Sequence, residues 1–184
     1  FNVIGIDLPT SEGKARINSI NSGNFPFKTS DKKLTYELKR AIKRGNLKAV
    51  ESKESYSKAD IIIISINCDL ITENGQQKVA LSKFTDSVGE IAKTISEETL
   101  VIVESTVPPG TCKKIVYPLF KDVFSKRKLD FNTFFLAHSY ERVMPGEEYF
   151  DSIINYWRVF SGINNDSAKK CESFLSKIIN VNEY

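Results

Sequence analysis

Four consecutive isoleucines, Ile61–Ile64, constrain this chain more than any other feature. A run so short, β-branched throughout and without polar alternation, reads as a strand buried on both faces, the habit of parallel sheets covered by helices. Similar runs recur at Val3–Ile6, Leu100–Val103 and residues 134–137 and 157–160, with a weaker one at Leu47–Val50. Between them lie helix-length stretches, residues 12–20, 34–44, 79–95, 111–124 and 166–179, whose apolar residues fall at helical spacing. In the third, Val79, Leu81, Phe84, Val88, Ile91, Ala92 and Ile95 gather largely on one face, so that helix is expected to pack on the core. The alternation predicts an α/β fold, a doubly wound and mostly parallel sheet with helices on both faces. Its 184 residues suit a single domain, and Asp166 is the expected N-cap of the last helix.

The charge balance narrows the functional classes. Twenty-six basic against 23 acidic residues leave a net charge of +3, too slight and too dispersed for a nucleic-acid footprint. The densest basic stretches, Lys39-Arg40 with Lys43-Arg44 and Lys126-Arg127-Lys128, read as solvated helix faces or turns. Cys68, Cys112 and Cys171 are far apart and accompanied by one histidine, His138, which speaks against a zinc site or a disulfide framework. That pattern fits a reducing cytoplasm. No apolar run approaches the roughly 20 residues of a membrane span, so no membrane partner is expected. The chain opens on Phe1 without a visible signal peptide, and a segment upstream of it has to be considered.

Two polar segments follow apolar runs: Glu104-Ser105-Thr106-Val107-Pro108-Pro109-Gly110-Thr111 and Ser139-Tyr140-Glu141-Arg142-Val143-Met144-Pro145-Gly146. In a parallel sheet these positions lie at the carboxyl ends of strands, where ligands bind. Ser105 and Thr106 can donate to a phosphate, a carboxamide or a water, or else cap the next helix, which Pro108-Pro109 would start. Glu141 could order a water or substrate hydroxyl as a general base, or pair with Arg142 to pin the loop. Asp7, ending the first run, could accept hydrogen bonds from an adenosine ribose or cap the helix near residues 10–13. His138 reads as a hydrogen-bonded structural residue, and Tyr156 and Trp157 as packed in the core or at its edge.

The order of these motifs carries a resemblance. Val-Ile-Gly-Ile-Asp at residues 3–7, Ile-Asn-Ser-Ile-Asn-Ser-Gly-Asn-Phe-Pro-Phe at 17–27, the two polar segments, and Arg-Val-Phe-Ser-Gly at 158–162 together resemble the UDP-glucose/GDP-mannose dehydrogenase family. They are most similar to members acting on UDP-N-acetylhexosamines. The resemblance runs from Val3 to about Ile179. It implies a Rossmann-like NAD-binding domain from an enzyme that oxidises a sugar C6 alcohol to a carboxylate in two NAD-dependent steps, through a cysteine thioester, for surface polysaccharide synthesis. By motif, Asp7 would bind the adenosine ribose, Ser105 and Thr106 would line the nicotinamide and a catalytic water, and Glu141 would position that water. Thr106 and Glu141 are thus the catalytic candidates, Asp7, Ser105 and Thr106 the NAD-binding ones, and Arg142 a support for the loop.

Departures from the family pattern shape the expectation. Tyr140 stands where the family has proline, Ile66-Asn67-Cys68-Asp69 replaces Val-Pro-Thr-Pro, and Leu8-Pro9-Thr10-Ser11 lengthens the connection from Asp7 to Gly23. Neither a Gly-x-Gly-x-x-Gly turn nor the family's cysteine motif occurs, and none of the three cysteines has a nucleophile's context. The expectation is therefore a truncated NAD-binding domain lacking its first strand, without the central helix and sugar-nucleotide domain, and inactive alone. Expected partners are a UDP-sugar and, for the full-length enzyme, a second copy in a homodimer. The alternatives are a non-catalytic nucleotide-binding or interaction module and a different enzyme on the same fold, such as a hydroxyacid dehydrogenase.

Overall fold

The computed structural model describes residues 1–143 and 146–180. The chain divides into two compact units, one formed by Phe1–Ser55 and Arg142–Tyr156, the other by Tyr56–Glu141 and Trp157–Asn180. Each has its own sheet with parallel strands.

In the first unit β1 (Val3–Ile6) pairs in parallel with β2 (Leu47–Val50), Val3 opposite Leu47 and Ile6 opposite Val50. Between them run α1 (Ser11–Asn21) and α2 (Lys32–Arg44), and α5 (Tyr149–Asn155) belongs to the same unit. Thr10 caps α1, its hydroxyl accepting the Gly13 N–H at 3.1 Å. Glycine at 13 is obligatory, because a Cβ there would lie 2.0 Å from the Leu8 carbonyl oxygen. Asn21, at the end of α1, holds β2 like a neighbouring strand: its Nδ2 donates to Ala49 O at 2.9 Å and its Oδ1 accepts from Ala49 N at 2.8 Å. The carboxylate of Asp31 caps α2 through Lys33 N and Leu34 N, and its other oxygen accepts the Phe150 N–H at 2.6 Å, joining α2 to the start of α5.

In the second unit β3 (Ile61–Ile64), β6 (Leu100–Val103) and β7 (Phe135–His138) are parallel, and the two-residue β8 (Ser161–Gly162) adds antiparallel, in the order β3-β6-β7-β8. All four residues of β6 are buried. Val101 and Val103 face Phe84, Val88, Phe120 and Phe124 of α3 (Ser82–Thr94) and α4 (Tyr117–Arg127). Leu100 and Ile102 face Cys171, Phe174 and Leu175 of α6 (Asn165–Leu175). Helices therefore cover both faces of this sheet at β6. The isoleucine run is less buried than its sequence predicts: β3 ends the strand order, Ile62 and Ile64 are buried, and Ile63 is 45% exposed. In β1, Val3 and Ile4 are likewise exposed rather than buried. Phe120, Phe131 and Phe134 stack, the Phe120 and Phe134 rings 4.3 Å apart.

The mostly parallel α/β architecture agrees with the sequence reading, and several details correct it. Residues 157–160 are not a strand: Trp157 and Val159 are more than half exposed, and pairing begins only at Ser161. Trp157 and Tyr156 accordingly lie at the surface rather than in the core. Asn164, not Asp166, caps α6, because its side chain accepts the Ser167 N–H at 2.8 Å. The helix expected to start at the prolines begins after them, with a π-helical turn at Cys112–Val116, and Pro118 occupies the first turn of α4. Residues before α3 form a hairpin, β4 (Leu70–Glu73) with β5 (Gln76–Val79), closed by Asn74 and Gly75, both at positive φ. Arg127 is not a solvated charge, since its guanidinium donates to Ala92 O and Ile95 O at 2.9 and 2.7 Å and so closes the end of α3.

Candidate functional site

The carboxyl ends of β6 and β7, adjacent in the second unit, carry both polar segments as far as Glu141. Glu104 follows β6 directly, and Glu104 N and Ser105 N both donate to Ile64 O, at 2.9 and 3.0 Å, which bends the segment over the end of β3. Ser105 is buried. Its hydroxyl accepts the Ile66 N–H at 2.7 Å and donates to Ile64 O at 3.3 Å, so both functions of the group serve the main chain. Thr106, next in sequence, is exposed. Neither hydroxyl caps the following helix; Thr111 turns back to Pro108 O at 2.7 Å instead.

On β7, Nδ1 of His138 lies 2.8 Å from Val103 O, and Ser139 N donates to the same oxygen at 3.1 Å. These bonds tie the start of the second segment to the end of the first. Ser139 is fully buried, and its hydroxyl has no hydrogen-bond partner among the described residues. Tyr140 and Glu141 are exposed, as is Arg142, which belongs to the first unit; Met144 and Pro145 lie outside the described residues.

Sequence reasoning missed Arg158. Its side chain is 8% exposed and forms an ion pair at 3.7 Å with Glu104, itself 19% exposed. The same Nη1 donates to Tyr140 O at 3.4 Å. A charged residue inside the apolar stretch Trp157-Arg158-Val159-Phe160 was the available signal, since a buried guanidinium needs a carboxylate partner. Burial pushes the Glu104 carboxyl above its ordinary range; the Arg158 charge pulls it back, and the nearby negative charge of Glu141 adds to the upward push. Glu104, with the Glu141 charge near it and the exposed Thr106 two residues further on, belongs to a polar cluster able to hold a water or an alcohol and to manage its proton.

Asp7 ends β1 in the first unit. It does not cap α1; instead its Oδ2 accepts Arg16 Nε at 2.6 Å, while its Oδ1 accepts Arg16 Nη2 at 2.9 Å and its neighbour Leu8 N at 2.8 Å. The Arg16 guanidinium holds its pKa below the ordinary carboxylate value, against a smaller opposing push from burial. An ionised carboxylate has about four acceptor positions, so three bonds leave room for a ribose hydroxyl, and in this respect Asp7 fits a dinucleotide. The cysteines are poor nucleophiles: burial raises the Cys112 and Cys171 thiols to about 11 and the Cys68 thiol less far. Among the described residues no group of three or more His, Cys, Asp or Glu side chains could hold a metal ion, and no helix is long and apolar enough to cross a membrane.

Comparison with known proteins places this arrangement. The UDP-N-acetyl-D-mannosamine dehydrogenase of Methanocaldococcus jannaschii is 31% identical over 97% of this chain and 38% of its own length. That of Methanococcus vannielii is 32% identical over 97% of this chain and 37% of its own. The chain thus spans under two fifths of these relatives. Among solved structures, the NDP-N-acetyl-D-galactosaminuronic acid dehydrogenase of Methanosarcina mazei matches 98% of the chain and 37% of its own, with a TM-score of 0.88 at 23% identity, a likeness of fold. The Pyrococcus horikoshii UDP-D-ManNAc dehydrogenase matches the same share, and 40% of its own chain, with a TM-score of 0.83 at 25% identity. The family model for the NAD-binding domain of UDP-glucose/GDP-mannose dehydrogenases covers residues 1–179. The chain belongs to the UDP-glucose/GDP-mannose dehydrogenase family, matched along its NAD-binding domain, and so to a family of NAD-dependent oxidoreductases with a Rossmann-like fold.

Proposed function

We propose that this chain is the cofactor-binding part of an NAD-dependent dehydrogenase that oxidises the C6 alcohol of a UDP-sugar to a carboxylate in two hydride transfers. The observation that carries the reading is the match of residues 1–179 to the NAD-binding domain of one dehydrogenase family, with Thr106 and Glu141 standing at the ends of adjacent strands. Bound NAD supplies the hydride acceptor. This chain's residues supply binding, orientation and proton handling. Asp7 accepts from the adenosine ribose, and its negative charge disfavours a 2′-phosphate. The Ser105 hydroxyl works at one remove by fixing main-chain residues 64–66, so that Thr106 is offered to the ligand. Thr106 donates or accepts through its exposed hydroxyl, and Glu141 orders the water that releases the acid product. The nucleophile and most sugar contacts come from outside these 184 residues, in keeping with the raised cysteine pKa values.

A UDP-N-acetylhexosamine is the preferred substrate class, because the first matched relatives carry that name. The full-length enzyme would work in the cytoplasm as a homodimer and feed the synthesis of surface polysaccharides. The test is NADH formation by the full-length protein with a panel of UDP-hexoses and UDP-N-acetylhexosamines. Turnover with at least one supports the reading, and none with any of them favours a non-catalytic nucleotide-binding module.

A further inference from the structure

We infer that Arg158 is a positioning residue for Glu141, a clamp that joins the ends of β6 and β7 and sets where the Glu141 carboxylate can sit. The inference rests on the proposed role of Glu141 in product release. Three observations converge on Arg158. Its side chain is almost wholly buried, yet it lies in the segment before the two-residue β8, which gives the main chain there little purchase of its own. Its guanidinium meets Glu104, the first residue after β6. The same nitrogen reaches the carbonyl oxygen of Tyr140, the peptide unit that leads directly into Glu141.

A guanidinium suits this task. Its planar, fixed donors can serve a carboxylate on one strand end and a carbonyl on the next without rotating, whereas a lysine ammonium is a single point on a flexible stem. Pairing also matters for charge. Glu104 and Glu141 are close enough to raise the proton affinity of Glu104, and the Arg158 cation is the charge that opposes this. Without it, two carboxylates would repel each other at a partly dry strand end, which disfavours the present placement of Glu141. The polar segment after β7 is also held at its beginning, where Ser139 N donates to Val103 O, and the Tyr140 carbonyl adds a tie immediately before Glu141.

The experiment compares Arg158→Lys, Glu141→Gln and the double variant in the full-length protein, following the first hydride transfer and the release of acid product in single turnovers. Glu141→Gln is expected to slow product release and spare the first hydride transfer. Arg158→Lys should slow the same step by about tenfold to a hundredfold, the range a small misplacement of a catalytic group produces, with the KM for sugar and for NAD within about twofold. The double variant should be no slower than Glu141→Gln alone, because a clamp has nothing to position once its cargo is gone. If Arg158→Lys fails to fold, Glu104→Gln loosens the same clamp and is read by the same three criteria. Slowing of both steps alike, or additive losses in the double variant, overturns the inference. So does an Arg158→Lys enzyme as fast as the wild type while Glu141→Gln is slow, and that result leaves the role of Glu141 standing. If Glu141→Gln itself leaves product release untouched, the role of Glu141 falls and the clamp falls with it.

Discussion

Replacing Ser105 by alanine separates a hydroxyl that builds the site from one that touches the ligand. In the structure Ser105 Oγ has two bonds, and their loss is not equivalent. Ile64 O, which accepts from Oγ at 3.3 Å, also accepts from Glu104 N at 2.9 Å and from Ser105 N at 3.0 Å, so it remains satisfied. Ile66 N, which donates to Oγ at 2.7 Å and sits in a half-buried residue, is left without that acceptor. The volume removed is a single oxygen, so the cavity contribution is small. One orphaned, partly buried amide costs about 1–2 kcal/mol, toward the lower end of the penalty for an unsatisfied donor. Urea unfolding of the full-length Ser105→Ala protein should therefore show a lower midpoint at unchanged slope. NAD affinity, titrated well below the transition, should fall by less than about threefold, an allowance within the scatter of indirect effects. Unaltered stability combined with a tenfold loss of NAD affinity would refute the argument and return the hydroxyl to direct contact with the cofactor.

Two other perturbations follow from the same contacts. The Asp7 carboxyl is held below its ordinary pKa chiefly by Arg16, so its contribution to stability is present above the ordinary carboxylate value and is lost as pH falls through the lowered one. Arg16→Gln should flatten that acid limb relative to wild type in urea titrations taken at successive pH values; identical slopes would show that the pair stores nothing. Arg127→Met removes the donors that close α3 at Ala92 O and Ile95 O and should cost about 1–3 kcal/mol, with Arg127→Lys recovering part of it. A melting temperature unchanged by Arg127→Met would return that residue to the solvated surface.

The parallel strands were readable because their apolar runs leave no alternation, and Leu100–Val103, buried throughout, is the plainest case. The isoleucine run marked a strand but overstated its burial, since Ile63 is exposed where the strand order ends. The hairpin at 70–79 was equally open to reading: Asn74-Gly75 is a strong turn signal, obscured by treating Val79 as the start of a helix. Arg158 was hidden by the opposite error. Its apolar neighbours suggested a strand, while its charge, which needed a buried partner, carried the information. The pairing of Asp7 with Arg16 and the spending of Ser105 on Ile64 and Ile66 depend on loop paths spanning nine and about 40 residues. No periodicity encodes such paths, which is why motif order indicated the site and only coordinates revealed which hydroxyl remained available.

The central claim, that this chain presents NAD to a sugar alcohol taken to the acid, is tested most directly by counting NADH. The full-length protein, given excess NAD and a limiting amount of the UDP-sugar it turns over, should form two NADH for each sugar consumed and release a uronic acid derivative. One NADH per sugar with a free aldehyde as product, or binding of NAD without turnover of any UDP-sugar, would contradict it.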